Sequence, residues 1–271
     1  MKATKYAGPE KLPEDFCVQP KLDGVRCLAY IEEGGLQPLR LNSKTGKPLP
    51  CPEGLRDSIE RALSNYRTFL DGELILPKGY TFEQTVSAVR TGPKHELSHL
   101  LNYHIYDCGL KGEEGAPFYA RWSEIEDVLD DGWAPRLIIV PTYFQPEDHD
   151  AQHAHLVRQG YEGTMYRDAT APYKHGQSKA LQKRKDFLDE EFTIIGHKVA
   201  VGQHEGCVVW EVDLGNGRTC EVTPAWTLER RRAVATIAES YYGEQLTVRF
   251  QEWTADDSLR FPTGIEVRDY E

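Results

Sequence analysis

Gln19-Pro20-Lys21-Leu22-Asp23-Gly24-Val25-Arg26 sets one lysine in a tight loop beside an acid, a glycine and an arginine. Pro20 holds the residue before it extended. A lysine so placed can be a nucleophile. Its free pKa of about 10.4 leaves it almost wholly an ammonium ion at neutral pH, so attack needs nearby cations or desolvation that favours the neutral amine. Further lysines and a bound metal are candidates to supply that field. A bare Lys-x-Asp-Gly is equally a solvated ion pair on a β-turn. The residues downstream decide between the two.

Working outward, short β-like runs alternate with amphipathic helices up to about residue 187. Val25 to Ile31 and Leu36 to Leu41 flank Glu32-Glu33-Gly34-Gly35, a hairpin-turn composition. From Pro52, the residues Leu55, Ile59, Leu63 and Tyr66 recur at helical spacing, with Arg56, Glu60 and Arg61 facing water. The pattern predicts strands over Thr68 to Leu76, Leu100 to Asp107, Arg136 to Phe144 and Gly163 to Arg167. Helices are expected over Thr81 to Arg90, with Phe82, Val86 and Val89 inward, and over His149 to Gln159. A further helix is expected from an N-cap at Ser123 through Leu129, stopped by Asp131-Gly132. Without a steady βαβ rhythm, the expected class is α+β: antiparallel sheets packed with helices over residues 1–187.

Asp186 to Glu191 is a polar, acidic break and the expected hinge. Residues 188–271 then turn almost purely β: Phe192 to Val201, Val208 to Leu214, Arg218 to Val222, Leu246 to Glu252 and Leu259 to Val267. Asn216-Gly217 is a type I′ hairpin signal. One helix, Leu228 to Ser240, falls between the third and fourth runs. Five strands with that helix match a Greek-key OB barrel, a fold that often binds nucleic acid.

The chain's 271 residues suffice for two domains that each bury a core. With 39% hydrophobic and 28% charged residues and no apolar run in the first twenty, the composition predicts a cytosolic protein without signal peptide or membrane span. Six scattered cysteines with no Cys-x-x-Cys suggest neither a zinc site nor disulfides. The net charge of −11 opposes nucleic-acid binding in sum. Distribution qualifies that, because Lys174 to Lys185 and Arg230-Arg231-Arg232 concentrate positive charge. Acids gather instead at Glu113-Glu114, Glu147 to Asp150 and Asp186 to Glu191.

After the lysine loop come Ser43-Lys44-Thr45-Gly46, Asp71-Gly72-Glu73-Leu74, His104-Ile105-Tyr106-Asp107, Glu162-Gly163-Thr164-Met165-Tyr166-Arg167 and Lys183-Arg184-Lys185. Singly, each has a bland reading as a turn, a core aromatic or a solvated face. In this order they resemble the covalent nucleotidyltransferases, and among them the small ATP-dependent DNA ligases of viruses and bacteria. Arg249-Phe250-Gln251-Glu252-Trp253-Thr254 and Arg260-Phe261-Pro262, running on to Arg268-Asp269, extend the resemblance over nearly the whole chain.

The resemblance implies a nucleotidyltransferase domain followed by an OB domain, and a role for each matching residue. Lys21 would attack the α-phosphate of ATP to give lysyl-AMP, with Asp23 in the same catalytic loop. Gln19 would contact the adenine edge, Tyr106 and Met165 would pack on its two faces, and Arg26 and Glu73 would hold ribose and phosphate oxygens. Glu162, with Glu73, would ligate Mg²⁺ or Mn²⁺. Lys183 and Lys185 would neutralise the α-phosphate and favour the neutral form of Lys21. Arg268 and Asp269 would turn toward ATP for the first step. Arg26, Lys44, Arg230 and Arg231 would contact nicked duplex DNA, the implied partner of a monomeric enzyme.

Two departures stand out. Lys44 occupies a position where the family commonly has arginine, which replaces a bidentate fork by a point charge. Little chain precedes Lys21, so the expectation is a minimal ligase gripping DNA with two domains. The alternatives are an RNA ligase or capping guanylyltransferase, and a non-catalytic OB-based nucleic-acid-binding protein. His95-Glu96-Leu97-Ser98-His99 matches a zinc-protease motif but follows Thr91-Gly92-Pro93 and runs into a strand, so a surface loop is expected. Asp148, His149, His153 and His155 are read as a polar helical face, and Trp253 as a barrel-core aromatic.

Overall fold

A computed structural model describes residues 1–32, 38–63, 67–129, 134, 136–215, 217–254 and 256–268. The Glu33-Gly34-Gly35 turn with Leu36, Tyr66 of the helical stripe, the Asp131-Gly132 helix stop, Asn216 and Asp269 lie outside the described residues. The chain divides into two compact units, Met1–Arg184 and Lys185–Glu271.

The first unit runs β1 (Lys2–Lys5), β2 (Phe16–Lys21), β3 (Val25–Ile31), β4 (Leu39–Ser43), α1 (Arg56–Ala62) and β5 (Arg67–Ile75). It continues through α2 (Phe82–Thr91), β6 (Asn102–Leu110), α3 (Phe118–Leu129), β7 (Leu137–Ile139) and β8 (Tyr143–Phe144) to α4 (His149–Arg158), β9 (Gly163–Asp168) and β10 (Gln177–Arg184). Two five-stranded sheets result, ordered β1-β10-β9-β2-β8 and β4-β3-β5-β6-β7. The apolar stripe of Leu55, Ile59 and Leu63 is buried in the main core with Leu70, Leu74, Tyr103, Ile105 and Trp122. Thr81 caps α2 through a reciprocal pair with Gln84, which satisfies two of the backbone donors a helix start leaves open. In α2, Thr85, Ala88 and Val89 are the buried residues, whereas Phe82 and Val86 are half-buried.

Several expectations are corrected. The sheets are mixed, since β1–β10 and β6–β7 are parallel pairs. Arg136 to Phe144 is not one strand: β7 and β8 belong to different sheets. Ser123 lies inside α3, whose first bond runs from the Arg121 amide to the Pro117 carbonyl. Proline fixes the backbone there and a helix start has no use for its missing donor, so the helix begins earlier than a Ser cap implied. Neither β1 nor β10 was expected, because β1 is only four residues long with a lysine at each end, and Lys and Gln interrupt the apolar alternation of β10. Among the described residues no helix is long and apolar enough to cross a membrane, and all six cysteines are free.

The second unit holds β11 (Leu188–Val199), β12 (Val208–Asp213), β13 (Thr219–Pro224), α5 (Leu228–Ala235), β14 (Gln245–Phe250) and β15 (Thr263–Arg268). The strands close into a barrel in the order β11-β12-β13-β15-β14. Alternation drives the closure: Val208, Trp210 and Val212 point inward, while Val209 and Glu211 are half-buried and Asp213 is exposed. Most of the acidic stretch expected to be a hinge, Leu188 to Glu191, is instead the start of β11, whereas Asp186 and Phe187 precede the strand, just past the division between the two units. Asp189 and Glu191 pair with Arg249 and Arg268, so their charges are matched across strands. The helix is also shorter than expected, α5 giving way to a 3-10 turn over Ala238–Tyr241. Trp253 is 37% exposed while still packing its ring against Phe192 and Phe250.

Candidate active site

Strand pairing assembles one wall of the site. Gln19 pairs with Met165 and Lys21 with Gly163 across β2 and β9, while Lys183 pairs with Met165 across β10 and β9. Side chains two apart share a face of a strand, so Gln19 and Lys21, Met165 and Arg167, and Leu181 and Lys183 all look the same way. Val18 and Tyr166, on the other face, pack with Leu156 of α4. The second sheet contributes Arg26 from β3, Glu73 from β5 and Tyr106 from β6. Together with Lys2 and Lys44 these residues line a cavity of about 180 Å³.

The Lys21 ammonium donates to Glu162 Oε2 and to the Leu22 carbonyl, at 3.4 Å in the second case, so two acceptors orient it. Gly24 follows because there is no room for more: a Cβ would lie 2.5 Å from Ile75 Cγ1 and 2.7 Å from the Leu74 carbonyl. Arg26 forks onto Asp71, Nε to Oδ1 at 2.9 Å and Nη2 to Oδ2 at 2.7 Å, and Tyr173 donates to the same Oδ2 at 2.7 Å. Burial is the largest single influence on Asp71 and acts to raise its pKa, but the charges of Arg26 and the N-terminal ammonium and the hydrogen bonds from Arg26 and Tyr173 together outweigh it, and the net shift is downward. Burial also keeps the Tyr106 phenol neutral, its pKa well above the ordinary value.

Glu73 behaves in the opposite way. Burial, opposed by Lys21 and Arg26 but reinforced by Asp71 and Glu162, pushes its pKa up to about 7. A folded-state pKa above the unfolded value means the native protein binds the proton more tightly, so Glu73 lowers stability as pH rises from about 4.5 to about 7. Glu73→Gln is therefore expected to raise the unfolding midpoint above pH 7. The gain should shrink toward pH 4.5, as measured by denaturant titrations across that range.

Of the expected residues in the first unit, Asp23 and Glu162 do not line this cavity, although Glu162 bonds to Lys21 on its wall. Asp23 is half-buried in the turn. Lys185 belongs to the second unit, where its ammonium donates to Gln251 at 3.2 Å and lies over the Phe261 ring. Arg268 pairs with Glu191, and Arg230 pairs with Glu266 while stacking on Trp226. Arg231 is the clearest correction. It is 5% exposed and its guanidinium donates to the Val208 carbonyl, so it serves the barrel interior and not a nucleic-acid surface.

The patterns also missed residues. Asp107 is fully buried between Arg121 and Arg167, and neither its pairing nor that of Asp71 was expected. The available signal was an acid inside an apolar strand, which must find a partner when buried. His95 is tied to Ser87 and the Leu97 amide in a region of 3-10 turns, and among the described residues no three metal-binding side chains cluster. His153 does not lie on a polar face: it is buried, with Nδ1 2.5 Å from Thr164 Oγ1.

A cavity lined by one oriented amine, several cations, the Glu73 carboxylate, an aromatic ring and a thioether, with Glu162 bonded to the amine, suits a nucleotide. The cations match its phosphates and the ring and thioether match its base. No family model matches the sequence. The chain is 26% identical over 271 residues to the DNA ligase of African swine fever virus isolate Warthog/Namibia, covering 94% of this chain and 62% of that protein. It thus spans less than two thirds of such relatives. Among solved structures, a Lig E DNA ligase superposes with a TM-score of 0.77 at 21% identity, covering 98% of each chain. Chlorella virus DNA ligase-adenylate gives a TM-score of 0.54 at 23% identity, covering 100% of this chain and 98% of that one. The ATP-dependent DNA ligase of bacteriophage T7, complexed with ATP, gives 0.54 at 20% identity, covering 98% of each. The resemblance read from the motifs therefore holds in both sequence and fold.

Proposed function

We propose that this chain is an ATP-dependent DNA ligase that joins 5′-phosphate and 3′-hydroxyl ends at nicks in duplex DNA. The observation that carries this reading is the shared cavity in which Lys21, held by Glu162, faces Glu73, Arg26, Tyr106, Met165 and Lys183. Residues 1–187 would be the adenylation domain and 188–271 an OB domain. The barrel order and the position of α5 support the latter.

In the first step the Lys21 amine forms a bond to the α-phosphorus while the bond to pyrophosphate breaks. The nearest described acceptor for the proton it must lose is Glu162 Oε2. The DNA 5′-phosphate then displaces the lysine, and the 3′-hydroxyl displaces AMP. All three steps are displacements at phosphorus, where positioning and positive charge do most of the catalysis. Arg26, Lys44 and Lys183 supply that charge from the cavity wall. Tyr106 and Met165 hold the base.

Mg²⁺ fits the same residues. It is commonly bound by one or two carboxylates plus substrate phosphates, and Glu162 lies close enough to Glu73 for its charge to raise the proton affinity there. A dication held by these two would neutralise phosphate charge.

The test is incubation with Mg²⁺ and labelled ATP or GTP, followed by nicked DNA or nicked RNA duplexes. ATP should leave an acid-labile, base-stable label on the protein, and the labelled protein should seal the DNA nick. Labelling by GTP would favour the capping reading, and no labelling by either would favour a binding module.

A further inference from the structure

Tyr173 lies on the segment between β9 and β10, the strands that bring Met165 and Lys183 to the nucleotide cavity. Its hydroxyl reaches across to the other sheet. It donates to Asp71 Oδ2 at 2.7 Å, and its oxygen accepts from Arg26 Nη2 at 3.2 Å and from the Met1 nitrogen at 2.7 Å. Chemistry fixes these directions. A guanidinium can only donate and an ionised carboxylate can only accept, and the Asp71 carboxyl is held below its ordinary range. The phenol keeps its proton, because burial first and then the Asp71 charge push its pKa up. The ring is placed as well, its centroid 4.6 Å from that of Phe69 and 5.1 Å from that of His175.

These contacts converge on Arg26, which lines the cavity. Of the five N–H groups of a guanidinium, Nε is committed to Asp71, Nη2 to Asp71 and Tyr173, and Nη1 to the Met1 carbonyl. Among the described residues, the remaining N–H on Nη1 has no partner, so it is available to a substrate oxygen. A bidentate Arg26–Asp71 pair by itself can rock about the line of its two hydrogen bonds. Tyr173 bonds to both members and closes a triangle, which removes that motion.

We infer that Tyr173 is a positioning residue whose hydroxyl fixes the Arg26 guanidinium against the wall that carries Lys183, so that the two cations keep a set spacing across the reacting phosphate. This rests on the ligase reading above. In displacement at phosphorus the gain comes from cations held where charge develops, and a guanidinium that can rock gives up part of it.

The experiment is a double-mutant cycle on the single-turnover rate of covalent adduct formation at saturating ATP, with wild-type protein, Tyr173→Phe, Arg26→Lys and the double variant. Phenylalanine keeps the ring on Phe69 and His175 and removes only the hydroxyl. Lysine keeps the positive charge but has no fork for Tyr173 to hold. Tyr173→Phe should lower the rate about tenfold, the worth of one hydrogen bond to a charged group. In the Arg26→Lys background the same change should cost less than about twofold, since coupled residues are not additive. A merely structural role would cost the same factor in both backgrounds, which overturns the inference. Where Arg26→Lys forms no measurable adduct, the Arg26 Nε–H NMR signal decides: its order parameter should fall in Tyr173→Phe, and an unchanged value overturns the inference. An unchanged rate in Tyr173→Phe overturns it as well, with the ligase reading intact. Failure of the wild type to form any adduct overturns both.

Discussion

Lys21→Arg is expected to end the proposed adenylate transfer to the protein. Arginine keeps the positive charge and can still pair with Glu162, so the unfolding midpoint should not move. Its guanidinium does not lose a proton in the working range, and without a neutral nitrogen there is no nucleophile. Loss of a covalent nucleophile costs about 10⁴-fold or more. Labelling by ATP and sealing of an ordinary nick should fall together by that factor. Sealing of a nick already carrying 5′-adenylate should persist, because that step needs the cationic cavity and not the amine. Wild-type labelling in Lys21→Arg would remove Lys21 from the proposed chemistry altogether.

Asp107→Ala is expected to have the largest effect on stability. The carboxylate is fully buried and answers two guanidinium groups, Arg121 and Arg167, that are 2% and 3% exposed. Its removal strands two cations away from water. Breaking a buried pair in this way costs about 3–5 kcal/mol, whereas an exposed pair is worth about 0–1 kcal/mol. Asp189→Ala, which removes the exposed partner of Arg249 on the barrel, is the matched control. Urea titration of the two variants should show a large drop for the first and almost none for the second. Similar losses would mean that Asp107 is not the centre of charge balance in the first unit.

The difference between these two acids explains what could be read in advance. Alternating Val208, Trp210 and Val212, and the spaced Leu55, Ile59 and Leu63, announce their elements because burial of apolar side chains at a fixed period is a local property. The strand β10 escaped notice because polar Gln177, Lys179, Gln182 and Lys183 are spread along it, and it is held by pairing with β9 and β1, β1 being distant in sequence. Arg230 and Arg231 look alike on the page. One stacks on Trp226 at the surface and the other reaches a backbone carbonyl inside, a distinction set by the turn of α5 against β12. Likewise, the acids of β11 looked like a linker until cross-strand arginines were found opposite them.

The order of short motifs by itself determined the chemical inventory: the lysine read as a nucleophile, the carboxylates Glu73 and Glu162, the aromatic Tyr106 and the lysines near residue 183. That is so because chemistry depends on side-chain type, which the sequence states outright. Only the tertiary structure decided which groups meet. Lys21 faces Glu162, Glu73 is pushed toward neutrality, and Arg26 is held by Asp71 and Tyr173. Each of these depends on distances and burial between strands far apart in the chain, and a charge acquires its function from what surrounds it at a few ångströms.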